Sequence, residues 1–128
     1  MTDMRYTLLL HYPEPTDEQL SAEDRAEGQR AFSAYAEALH AAGVLIGAEV
    51  LQRSDNTTTL TAVDGTLRVQ DGPFADTKEQ LGGTFVIDVP DLDAAIEWGR
   101  QAPAIHWGAV EIRPGATHTV DGAWTPNQ

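Results

Sequence analysis

The stretch MRYTLLLH, residues 4–11, decides the fold of this chain. It is short and apolar, and Pro13 and Pro15 follow it, which is typical of a buried strand. A second stretch, TFVIDV at residues 84–89, has the same character. Consecutive side chains of a strand point to opposite faces of its sheet, and both stretches are apolar at consecutive positions. We therefore expect a sheet that needs cover on both faces.

Each of these two strands is followed by a predicted helix. The first helix begins either at a capping box of Thr16 with Gln19 or at Ser21, and it runs to about Ala42. The second helix has Asp91 as its cap. The expected apolar face of the first helix consists of Phe32, Tyr35, Ala36 and Leu39. The expected inner face of the second helix consists of Leu92, Ala95, Ile96 and Gly99.

Four further strands are predicted, at residues 44–51, 57–63, 66–69 and 108–113. The dipeptide Asp64-Gly65 is a strong hairpin signal between the middle two. Two strand-helix-strand units in tandem predict an α+β, ferredoxin-like sandwich, in which two helices cover one face of an antiparallel sheet. A chain of 128 residues has nothing left to cover the other face, so we predict that two copies meet there as a homodimer.

The composition predicts one globular domain at residues 1–114 and a tail at residues 115–128. The tail is rich in turn residues and is expected to be mobile, although Trp124 indicates a partial anchor. The chain has no cysteine, which excludes a disulfide framework and a thiol nucleophile. It shows neither a signal-peptide pattern nor an apolar run of the roughly 20 residues that span a bilayer, so we expect a cytoplasmic protein.

The charge of the chain excludes several classes of partner. The net charge is −12, and the 8 basic residues are scattered among 20 acidic ones. Nucleic acids and anionic membranes require clustered Lys and Arg, so neither is an expected partner. The 4 histidines show no i, i+4 pair and no compact spacing, so no metal site is predicted. No glycine-rich phosphate loop follows a strand, and no cofactor is expected.

Residues that carry chemistry concentrate at positions 71–83, which begin with Asp-Gly-Pro-Phe and end with a double glycine. In the functional interpretation, Asp71 is a base or an orienting carboxylate, and Phe74 forms an apolar wall of a pocket. In the structural interpretation, the same four residues are a turn, because Gly and Pro set the backbone angles and Asp bonds its own backbone.

The second half of that loop also has two interpretations. Lys78 and Glu79 would face a ligand, and Gly82 with Gly83 would let the ligand or another backbone approach closely. Alternatively, these residues are a solvated loop with a bulge where the next strand begins.

Two histidines are candidates for the site. His11 ends the first strand at the rim of the sheet, where an imidazole that titrates near neutrality would serve as a base. His106, beside Trp107, would line a pocket or a dimer seam. The alternatives are a rim histidine bonded to the backbone and a loop histidine beside a packing tryptophan.

The chain resembles the DGPF branch of the YCII-related proteins. The residues that carry the resemblance are 4–10, 42–45, 71–74, 77–83, 89–95 and 110–114. The resemblance implies a dimeric α+β barrel built from ferredoxin-like subunits. The family's known chemistry includes dehydrochlorination of a chlorinated aromatic by a His–Asp pair, and members of this branch are often encoded beside extracytoplasmic-function sigma factors. The resemblance does not assign that His–Asp pair to residues of this chain.

Two functions remain open. One is a cofactor-independent lyase, isomerase or dehydrohalogenase that acts by proton transfer, with His11 or Asp71 as base and Glu79 as partner. The other is a non-catalytic ligand-binding or regulatory protein on the same scaffold, linked to a sigma-factor circuit. An enzyme should bring an imidazole and a carboxylate within about 3 Å in a pocket that excludes bulk water, whereas a binding protein needs only an apolar pocket.

Overall fold

The computed structural model describes residues 4–16 and 18–127. The strands are β1 (Met4–Tyr12), β2 (Leu45–Val50), β3 (Thr58–Val63), β4 (Thr66–Asp71), β5 (Gln80–Val89), β6 (Ala109–Pro114), β7 (Thr117–Val120) and β8 (Ala123–Pro126). The helices are α1 (Ala22–Ala41) and α2 (Leu92–Gly99), with 3-10 turns at Ser54–Asn56 and Pro103–His106.

The main sheet has the strand order β2-β5-β1-β6, and all three of its pairings are antiparallel. This arrangement is ferredoxin-like, with the β3–β4 hairpin inserted between β2 and β5. The predicted α+β class, the antiparallel sheet and the two helices are therefore confirmed. The strand pattern also predicts a break in β2, and a register shift is found there between Leu45 and Gly47.

The core lies on one side of this sheet. Strand residues alternate between buried and half-buried, so that one face is covered by the helices and the other is open. The largest fully buried side chains are Leu8, Leu10, Leu39, Phe85, Ile87 and Val89. We call the opposite side the outer face; it carries Leu9 and Val86, which are half-buried, beside threonines and charged residues. The outer face is thus apolar only at its centre.

Helix α1 begins where the second of the two start signals lies. The Ser21 side chain caps the helix by accepting a hydrogen bond from the backbone N–H of Asp24. The helix ends before Gly43, whose φ of 75° suits glycine. The predicted apolar face is confirmed, since Tyr35 and Leu39 are buried and Phe32 and Ala36 pack against the core.

Two expectations need correction. On α2 only Ala95 and Gly99 are buried, whereas Leu92 and Ile96 are 49% and 44% exposed. The helix approaches β6 through its small residues, since a Cβ on Gly99 would lie 3.0 Å from Cδ1 of Ile112. Strand β5 begins at Gln80, not at residue 84, because Gln80, Leu81 and Gly83 pair with β1, while a register shift leaves Gly82 unpaired with β1 as a bulge where the strand begins. The tail forms the β7–β8 hairpin, and Asn127 ties it back by donating to the backbone carbonyl oxygen of Arg5.

Candidate functional site

A groove of about 1600 Å³ lies on the helical side of the sheet. It runs between α1, the segment that follows β1, and the 3-10 turn at Pro103–His106. We call it the α1 groove. Its lining includes Tyr12, Gly28, Phe32, Lys78, His106 and Trp107. Two of the predicted ligand-binding residues, Lys78 and His106, therefore lie in one cavity.

Three aromatic rings form the floor of the α1 groove. The ring centroid of Trp107 lies 6.1 Å from that of Tyr12, edge to face, and 5.9 Å from that of Phe32. Phe32 in turn stacks on the core residue Phe85, at 6.4 Å between centroids. The Phe32–Phe85 contact makes the floor continuous with the core. Aromatic contacts of this kind are favourable beyond the area that they bury. Trp107 is nevertheless 45% exposed, which leaves an aromatic surface open in the groove.

Both hydrogen-bond donors and carboxylates line the groove. Burial, reinforced by the negative charge of Glu14, raises the pKa of Tyr12, so its hydroxyl stays protonated at neutral pH. The Glu14 carboxylate accepts from the Ser54 hydroxyl at 2.5 Å and from the Ser54 backbone N–H at 2.7 Å. Glu14 is therefore engaged in holding the groove wall. No imidazole–carboxylate hydrogen bond is found among the described residues that line the groove.

The imidazole–carboxylate pair lies instead on the outer face. His11 Nε2 is 2.5 Å from Glu111 Oε1, and the two side chains are 27% and 67% exposed. In the antiparallel register of β1 and β6, His11 stands opposite Ala109, which makes Glu111 its diagonal neighbour. His11 thus has a carboxylate partner that is neither Asp71 nor Glu79.

Glu79 lies at the same corner of the fold as His11. A Cβ placed on Gly108 would lie 2.9 Å from Glu79 Oε2 and 1.9 Å from the backbone oxygen of His11. Glycine is therefore the only residue type that fits at position 108, between the Glu79 side chain and the backbone of His11. The structure brings two predicted catalytic residues close together, but the imidazole of His11 is paired with Glu111.

The Asp-Gly-Pro-Phe segment lies apart from both groups. Asp71 is exposed at the end of β4, and the Phe74 side chain is 82% exposed. Gly72, with a φ of 100°, anchors the segment: its N–H donates to the Thr57 carbonyl oxygen, and its own carbonyl oxygen accepts from the Thr59 hydroxyl. Within this chain the segment has the geometry of a turn.

The two predicted ligand-binding glycines serve close approach within the protein. A Cβ on Gly82 would lie 2.1 Å from Cζ of Tyr12, and one on Gly83 would lie 2.9 Å from the Glu49 carbonyl oxygen. Gly82 therefore lets Tyr12 lie flat as part of the groove floor, and Gly83 lets β2 pair with β5.

Sequence reasoning missed Glu111 and the role of Tyr12. Glu111 alternates with Val110 and Ile112 on β6, which already indicates a position facing away from the core. Its position beside His11 follows only from the pairing of β1 with β6.

Among the described residues, no group of three or more His, Asp or Glu side chains is arranged to hold a metal ion. None of the described helices has the length and apolar character that crossing a membrane requires.

The fold and the groove together define a ferredoxin-like α+β protein with an aromatic cleft on its helical side. The YCII-related domain model matches residues 4–116, and the chain belongs to that family. An uncharacterized protein of Rhizobium meliloti (strain 1021) is 33% identical over 117 residues, which cover 90% of this chain and 94% of that protein.

Proposed function

We propose that this YCII-related protein binds a small, flat and mostly apolar molecule in the α1 groove. The observation that carries the proposal is the half-exposed ring of Trp107 on an aromatic floor, inside a cavity of about 1600 Å³. Ligand pockets are typically about 300–1000 Å³, apolar, and furnished with a few polar groups. The groove has that character and leaves room for water beside a ligand.

Binding without catalysis accounts for the groove's polar groups. Tyr12 is protonated and is a donor, and Glu14 already accepts two hydrogen bonds from Ser54. Neither group is available as a base. Among the other polar residues that line the groove, Lys78 and His106 are suited to orienting a ligand.

A fluorescence titration with N-phenyl-1-naphthylamine, a neutral aromatic dye, tests this proposal. Wild-type protein should bind the dye, and Trp107→Ala should weaken binding by about tenfold, because the ligand loses its stacking surface. Trp124→Ala is the matched control, since Trp124 is 73% exposed on the tail hairpin and should leave the affinity unchanged. Equal affinity of Trp107→Ala and wild type would refute the proposal.

A second candidate function is acid–base catalysis on the outer face. It is supported by the 2.5 Å contact of His11 with Glu111, which orients the imidazole as a general base. The reaction would be an elimination or isomerisation that begins by removal of a C–H proton, and Glu79 lies close enough to the His11 backbone to contribute. This candidate requires the pair to be shielded from water, and we propose that a second copy on the outer face shields it.

Proton abstraction can be followed without knowing the natural substrate. Small halogenated and hydroxylated acids are incubated in D₂O, and the replacement of C–H by C–D is measured by NMR. His11→Asn should slow any exchange by roughly a hundredfold or more. The control is His40→Asn, an exposed histidine on α1. Exchange that survives His11→Asn would exclude His11 as the base.

A further inference from the structure

Gly28 lies inside α1 at the α1 groove, and the fold does not require a glycine there. Its φ is not among the positive values that favour glycine. A Cβ on Gly28 would meet only Cη2 of Trp107, at 3.8 Å, which is an ordinary contact. Glycine in a helix interior is destabilising relative to alanine. Neither backbone conformation nor packing within the chain explains this residue.

The space beside Gly28 belongs to the cavity that a ligand would occupy. Gly28, Phe32 and Trp107 all line the groove. Because position 28 has no side chain, the backbone of α1 and the neighbouring indole ring of Trp107 form one continuous part of the groove wall. A flat molecule lying across this part of the wall would contact the helix backbone and the indole together. Glycine is the residue that permits such an approach of backbone to ligand.

Lys78 supplies the electrostatic part of the recognition. It is the only lysine in a chain of net charge −12. It lines the groove, and within the described part of the chain it has no carboxylate partner. An ammonium group that lines a cavity is suited to a carboxylate or a similar acceptor. The other charged residues that line the groove are Arg25, which already has an interaction of its own, and the acidic residues Glu14, Asp24 and Glu27, so a ligand with several negative charges would be repelled.

We propose that the α1 groove takes a flat apolar molecule with a single anionic group, with the body of the molecule against Gly28 and Trp107 and the anion on Lys78. This inference rests on the proposed function and specifies its ligand class. Gly28 then determines steric specificity, and Lys78 determines charge specificity.

Two dyes with the same aromatic body test the two parts separately. 1-Anilinonaphthalene-8-sulfonate carries one sulfonate, and N-phenyl-1-naphthylamine is its neutral counterpart. Gly28→Leu should weaken the binding of both dyes by at least about tenfold, because the leucine side chain would project from the groove wall into the space that the dye occupies. Ala41→Leu, an exposed position at the end of the same helix, should leave both affinities unchanged. Lys78→Gln should weaken the binding of the sulfonate dye alone, by about fivefold or more. Arg68→Gln, on the β3–β4 hairpin, should leave the binding of both dyes unchanged.

The outcomes separate this inference from the proposed function. If the neutral dye binds and depends on Trp107, but Gly28→Leu binds it as wild type does, the steric part is wrong while the proposed function stands. If Lys78→Gln changes the affinity for both dyes equally, or for neither, the assignment of the anionic group to Lys78 is wrong. If Trp107→Ala binds both dyes as tightly as wild type does, the proposed function itself fails. Should Gly28→Leu not fold, Gly28→Ala decides: the inference requires a higher melting temperature together with weaker dye binding, and unchanged binding overturns it.

Discussion

The phenol ring of Tyr12 covers Gly82 so closely that a Cβ on Gly82 would lie 2.1 Å from Cζ of the ring. This contact joins β1 to the start of β5 and sets the position of Tyr12 in the floor of the α1 groove. Its consequence is that the shape of the groove depends on Gly82, a buried glycine that does not itself line the groove.

Gly82→Ala should therefore disturb the groove as well as the fold. The added methyl group forces the Tyr12 ring out of its place against Trp107, and such overpacking costs about 1–3 kcal/mol. Urea unfolding measures the loss, and the dye titration measures the change in the groove. Gly47→Ala is the control, because a Cβ on Gly47 meets nothing within 4 Å. Equal stability of the two variants would contradict the observed packing.

The homodimer prediction places a second copy on the outer face, where Leu9 and Val86 form the apolar centre. Wild type should sediment as a dimer at micromolar concentration. Val86→Arg should sediment as a monomer, because the interface would bury an unpaired charge. Val120→Arg, at a half-exposed position on β7, should remain a dimer. A monomeric wild type would remove both the interface and the shielding that catalysis at His11 requires.

Tyr35 should give the stability a dependence on alkaline pH. Burial raises the pKa of Tyr35 from 10.0 to about 12, and its hydroxyl donates to the Trp98 carbonyl oxygen at 2.8 Å. Because the folded pKa lies above the unfolded one, this stabilisation is complete below about pH 10 and is lost as the pH rises towards about 12.

The comparison with Tyr35→Phe isolates this effect. The variant should be less stable than wild type by about 1 kcal/mol near neutrality, since the Trp98 carbonyl oxygen loses its donor. At about pH 11 the wild type should have lost roughly 1 kcal/mol that the variant does not lose. Urea unfolding at the two pH values measures both. Parallel loss of stability in the two proteins would show that Tyr35 does not cause it.

The features that the sequence predicts correctly are those whose residues lie close together along the chain. The face of α1 that buries Tyr35 and Leu39 follows from a 3.6-residue period, and the Ser21 cap follows from residues three apart. The partner of His11 does not follow from any such pattern, because Glu111 is 100 positions away. Only the pairing of the first strand with the last, which is a property of the whole fold, brings them together.

The segment at residues 71–83 shows the converse. Its concentration of Gly, Pro and charged residues marks it as distinctive, yet each of these residues is also suited to a turn. Composition does not distinguish a loop that faces a cavity from one that faces solvent. Phe74 faces solvent, whereas Lys78, four positions later, lines the groove.

The indole N–H signals of the three tryptophans, followed by ¹⁵N NMR while N-phenyl-1-naphthylamine is added, test the central claim most directly. Trp107 is identified by the signal that Trp107→Ala removes. If the α1 groove is the binding site, the Trp107 signal moves progressively to saturation and the Trp124 signal stays in place. Movement of backbone signals on the outer face around Leu9 and Thr84, with Trp107 unchanged, would contradict the account.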